Sequence, residues 1–215
     1  WAACVLFSRS LRYALSNVYK FADFNVSPVW NGLGKNIMKA DEEHVIGERS
    51  LLVSKFKSEL EGFQLNRNFT FNAVMGVIPQ VSIDREALKG IAVIPKMNSE
   101  QVILNIQKLP YFRLVLALGA VSDIHSDNTA NRYNYLPELK DANGANKSTV
   151  TEWLSTRDHI EEMELTVELF PSLKKYITDN TTFIISMGIE FGNVGFGGKI
   201  EAVKRACSGR IMKVI

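Results

Sequence analysis

The chain has 215 residues, 46% hydrophobic and 22% charged, and its Lys+Arg 25 against Asp+Glu 23 leave a formal net charge of +2. That length holds one full domain, or one domain with a helical attachment. The composition excludes a disordered tail, a collagen-like fibre and a disulfide-dense miniature fold. The charge balance gives no footprint for nucleic acid or an anionic membrane, and no apolar run approaches the roughly 18–20 residues that span a bilayer.

The opening Trp1-Ala2-Ala3-Cys4-Val5-Leu6-Phe7 has no initiator Met and no basic n-region, and it runs straight into Arg9 and Arg12. It reads as a helix whose upstream sequence is absent, not as the tail of a signal peptide. Val5, Leu6, Leu11, Leu15, Val18 and Tyr19 set an apolar stripe against Arg9 and Arg12 at roughly the 3.6-residue helical period. Ser27-Pro28 reads as an N-cap followed by Pro at the first helical position, opening a second helix through Met38 that Gly32 and Gly34 weaken. A third helix is predicted from Gly47, with Leu51, Leu52, Phe56 and Leu60 on one face and Gly62 as its terminating glycine. Residues 1–62 are thus expected to form an N-terminal helical segment.

After Gly62 the period becomes two. Met163, Leu165, Val167 and Leu169 alternate with Glu162, Glu164, Thr166 and Glu168, the pattern of a half-buried strand with a solvated face. Phe183, Ile185, Met187, Ile189 and Phe191 repeat it, while 112–120 is apolar on nearly both faces and predicts a central strand. Shorter strands are predicted at 77–83, 90–94, 199–203 and 210–215, and Asn98-Ser99-Glu100-Gln101 predicts a capped helical turn leading into 102–106. Long polar connections are expected at 122–149, with an exposed turn at 141–148, and at 171–181. Many strands joined in this way predict an α+β protein: helices over 1–62, then an antiparallel β-sandwich over 63–215, Ig-like or jelly-roll-like.

Chemistry-bearing patterns are weak. The run Gly192 to Lys199 has Asn193 where a phosphate loop needs glycine and Ile200 where it needs Ser or Thr, so a hairpin is predicted there. Asp123, His125 and Asp127 place oxygen and imidazole ligands on alternate positions at a strand end, which suits a divalent metal or simply a polar loop. Asp123, His125 and Glu190 are the scattered residues from which an enzymatic site would have to be assembled. No nucleophile motif accompanies His44, His125 or His159, and Glu162, Glu164 and Glu168 read as the wet face of a sheet. Asn68, Asn146 and Asn180 head glycosylation sequons, which matter only in a secreted eukaryotic protein. Cys4 and Cys207 stand at opposite ends of the chain and read as independent thiols, with a disulfide as the alternative in an oxidising compartment. Tyr133 and Tyr135 either offer a contact surface or pin their loop to the sandwich.

Three stretches carry a resemblance: Glu59 to Asn66; Ser82-Ile83-Asp84-Arg85 with Ile94-Pro95 and Tyr111 to Asp123; and Met187 to Phe191 with a short apolar final strand. In order and spacing they resemble a family of uncharacterised Bacteroidota domains of unknown function, with N-terminal helices and a C-terminal β-sandwich. The resemblance implies an extra N-terminal segment rich in Gly, Lys and Arg and a longer hairpin than Val194–Lys199, and it supplies no catalytic signature. The expected function is therefore a non-enzymatic structural or assembly protein, a self-associating subunit of an oligomer or filament, with no cofactor, no metal, no nucleic acid and no membrane span. The alternative is a binding module for a glycan or an envelope protein, using the 122–149 loop.

Overall fold

A computed structural model describes residues 1–42, 44–105, 107–127 and 132–215. Helices α1 (Ala2–Ala14), α2 (Ser16–Tyr19) and α3 (Ser27–Lys39) come first, and α4 (Phe71–Met75) and α5 (Ser99–Val102) are single turns among the strands. The strands are β1 (Gln80–Asp84), β2 (Lys89–Ile94), β3 (Met97–Asn98), β4 (Tyr111–Ser122), β5 (His125–Asp127), β6 (Arg132–Asn134), β7 (Asn146–Val150), β8 (Leu154–Ser155), β9 (His159–Ile160), β10 (Met163–Glu168), β11 (Thr181–Val194) and β12 (Ile200–Val214). This is the expected α+β arrangement of N-terminal helices followed by antiparallel sheets. No helix is long and apolar enough to cross a membrane among the described residues.

The principal sheet runs β12-β11-β4-β7, with β8 also on β4, and a three-stranded sheet runs β1-β2-β10. The two pack face to face. Leu114, Leu116 and Leu118 of β4 and Ile185, Met187 and Ile189 of β11 meet Ala92, Ile94 and Val167 of the smaller sheet. Glu164 and Glu168 of that sheet point outward, as the alternation predicts.

The other face of the principal sheet is covered by the helical segment. Phe7, Leu11 and Ala14 of α1, with Trp30 and Ile37 of α3, pack on Val115, Ala117, Val121 and Ile184. Two glycines permit this approach: a Cβ on Gly119 would fall on the carbonyl of Ala14, and one on Gly188 would fall on the Phe21 ring. β4 and β11 are accordingly buried on both faces, so the half-buried reading of 183–191 is corrected; its even-numbered residues lie under helices that arrive from far earlier in the chain.

The predicted third helix is absent. Leu51 exchanges backbone hydrogen bonds with Ile124 (N···O 2.8 and 3.0 Å), and only short 3₁₀ turns follow at Val53–Lys55 and Lys57–Glu59. These tertiary bonds fix backbone groups that a helix would have used, and they override local propensity. Ser27 is the first helical residue of α3 instead of its cap, and Val5 is exposed although its stripe is buried. The 122–149 connection is not a plain loop either: it contains β5, β6 and β7, and β7 pairs with β4 from Asn146 to Val150. Within the predicted exposed turn, Ala142 is buried and Gly144 N–H donates to Ala120 at 2.8 Å. The short strands predicted at 199–203 and 210–215 are one strand, β12. Ile106, the end of the predicted 102–106 stretch, lies outside the described residues.

Candidate functional site

Of the residues weighed as metal ligands, Asp123 and Asp127 are engaged elsewhere, while His125 Nε2 is buried with no hydrogen-bond partner among the described residues. Asp123 is buried at the end of β4, where its carboxylate accepts from Ser54 N–H (2.9 Å) and Ser54 Oγ–H (2.5 Å). Burial pushes its pKa up, against the opposing effect of the Ser54 bonds. Asp127 lies 3.6 Å from the Arg132 guanidinium. No group of three or more His, Cys, Asp or Glu side chains is placed to hold a metal among the described residues, and Asn128, next in that motif, lies outside them.

A cleft of about 570 Å³ opens between the end of α3, residues 41–56 and β5, with Asp41, His44, Ser50, Lys55 and His125 in its wall. Asp41 holds the His44 imidazole at 3.0 Å and also accepts from Ser50 N–H at 3.1 Å. A carboxylate-held imidazole is half of a general-base arrangement. No hydroxyl bonds that ring among the described residues. The pair is local, three residues apart just past α3, and nothing in the sequence singles it out because no nucleophile motif accompanies His44.

Glu190 is far from these groups. It faces Arg113 across the β4–β11 ladder, whereas Asp123 lies beyond the other end of β4, about ten residues or roughly 33 Å away at strand rise. The Glu190 carboxylate is buried between Arg113 (2.5 Å) and Lys20 (3.3 Å), and the Arg113 guanidinium lies over the Trp153 ring, 4.5 Å from its centroid. Asp123, His125 and Glu190 therefore do not share a cleft. The loop tyrosines pin their segment, to the helical layer: Tyr133 OH donates to Gly47 C=O at 2.9 Å, and Tyr135 OH lies 2.7 Å from Ser10 Oγ. Cys4 and Cys207 are both free thiols. Asn146 accepts from Ser16 and Asn17 and so fastens α2 to β7.

The predicted hairpin is present, and its tip carries the most exposed large hydrophobic side chain among the described residues. Val194 pairs with Ile200, and the turn between them places Gly197 (φ +74°) and Gly198 (φ +78°) in the left-handed region that glycine tolerates. Val194 is 52% exposed, and Phe196 at the tip is 101% exposed. Glu190 pairs with Cys207 but Gly192 with Ala202, so residues 203–206 bulge opposite Phe191, and Arg205 there takes φ +64°. A bulge of this kind bends the strand locally and increases its twist. An aromatic set among glycines, Gly195-Phe196-Gly197-Gly198, is the signal in the sequence that marks the tip.

Compared with protein-family models, curated proteins and solved structures, the chain matches none of them.

Proposed function

We propose that the chain is a non-enzymatic, self-associating structural subunit, and that the β11–β12 hairpin is its contact arm. The observation that carries this reading is the wholly exposed Phe196 at the tip of the hairpin beyond the bulge. An aromatic ring held in water at a loop tip gains free energy when a second surface covers it. The edge of β12 supports the same reading. Its inner half is covered by backbone bonds from Gly62 and Leu65, whereas no backbone bond from outside the hairpin reaches 200–206 among the described residues. Strand addition is proposed for residues 200–202 alone, because the 203–206 bulge with Lys204 and Arg205 blunts the rest of that edge. The tyrosine hydroxyls of the 122–149 loop are engaged with the chain's own helical layer, which favours assembly over glycan capture by that loop. The uncharacterised Bacteroidota domains that the chain resembles belong to the same proposal, and they supply no activity to transfer.

Light scattering on a dilution series tests this. The expected result is a native mass above the 24.1 kDa of one chain that falls to that value in Phe196→Ser. A wild-type protein that stays monodisperse at 24.1 kDa at every concentration overturns it.

A further inference from the structure

We propose that the cleft beside the β12 bulge binds a small anionic molecule with a planar apolar body, such as an aromatic phosphate or carboxylate. Arg205 starts the argument. It holds a left-handed backbone (φ +64°) that residues with side chains avoid, on the exposed side of a bulge, and no salt bridge accounts for it among the described residues. Residues kept in such conformations cluster at ligand sites, and bulges re-aim side chains.

The bulge turns Lys204 and Arg205 toward a cleft of about 730 Å³ that Lys20 also lines. That volume lies within the roughly 300–1,000 Å³ of small-molecule sites. The one acid in its wall, Asp23, is already satisfied, accepting from Arg67 N–H at 3.0 Å and Asn68 N–H at 3.2 Å. Behind Lys20, Glu190 shares its charge with Arg113. The cleft thus presents an excess of cations to whatever enters it.

Its apolar wall comes from Phe24 and Phe69, and Phe69 is 46% exposed, while the Phe21 ring is buried behind them against Gly188. The Arg67 guanidinium stacks on Phe24 at 3.9 Å from its centroid. The floor is rigid. Buried Asn66 donates to Phe21 C=O (2.7 Å) and accepts from Gly209 N–H (2.9 Å), locking the Phe21 segment to β12. Fixed aromatic surface beside two lysines and an arginine suits a ligand with a flat body and a negative end.

Titration calorimetry on the full chain, with phenyl phosphate, inorganic phosphate and benzyl alcohol as probes, tests the proposal. Phenyl phosphate is expected to saturate one site and to bind roughly tenfold tighter than either of the other two. Arg205→Gly, which suits the left-handed backbone, is expected to lower that affinity by roughly tenfold while the melting temperature stays level or rises. Two results overturn the site: no saturable phenyl phosphate binding up to about 10 mM, or affinity unchanged in both Arg205→Gly and Lys20→Met. Repeating the titration on Phe196→Ser keeps ligand binding separate from self-association.

Discussion

The β11–β12 ladder is one pair of strands in two environments. From Thr181 to Gly192 every residue of β11 is buried, with the smaller sheet on one face and helices on the other. Past the bulge, Asn193 and Val194 are exposed, as is Glu201 opposite Asn193, with a phenylalanine at the end. Backbone pairing is the same in kind on both sides of the bulge. What differs is coverage, so strand pairing alone does not decide whether a segment becomes core or contact surface.

The contrast can be broken most sharply at Gly188. Its missing Cβ makes room for the Phe21 ring, so Gly188→Val is expected to cost about 3 kcal/mol, read as a lower urea midpoint. An unchanged midpoint would mean that the helical layer does not close on that face. At the border, Glu190→Gln leaves Arg113 and Lys20 without their carboxylate, and a loss of about 2 kcal/mol is expected in the same assay.

Cys207, paired with Glu190, gives a pH test. Burial first, and the Glu190 carboxylate second, push its thiol pKa up from 9.0 to about 11. The folded chain then holds a proton that the unfolded chain releases. Its contribution to stability is complete below pH 9.0 and is lost as pH rises toward about 11. Cys207→Ala should flatten the fall in stability across that window, and an identical slope would assign the fall to other groups. The smallest effect belongs to the arm: Phe196→Ser should change monomer stability by less than about 0.5 kcal/mol. A larger loss in melts at a dilution where both chains are monomeric would mean that the tip packs on its own chain.

Much of the fold is legible in the sequence because alternation reports one face of a strand at a time. Phe183, Ile185, Met187, Ile189 and Phe191 identify β11 and its face toward the smaller sheet. The burial of Ile184, Ser186 and Glu190 is not legible, since it depends on helices that begin some 180 residues earlier. Leu51, Leu52, Phe56 and Leu60 have helical spacing, yet bonding to Ile124 claims the backbone. β7 is missed because Asn146-Lys147-Ser148-Thr149-Val150 is mostly polar, and it becomes a strand through the template that β4 offers. Of the candidate site, the Gly-Phe-Gly-Gly turn is visible in the sequence. The strain at Arg205 is not, because no residue type announces a left-handed arginine.

The central position of β4 also sets a schedule for synthesis. Its apolar residues 112–121 emerge well before β11, which begins at Thr181 about sixty residues later. At the ribosome's roughly 5–20 residues per second that interval lasts several seconds, during which β7 is the one long neighbour that can reach it. Loop-closure entropy makes the late β4–β11 pairing slow as well. The helices of residues 1–39, already made, can shield one face of the waiting strand, and the nascent chain carries its own temporary cover until the C-terminal hairpin arrives.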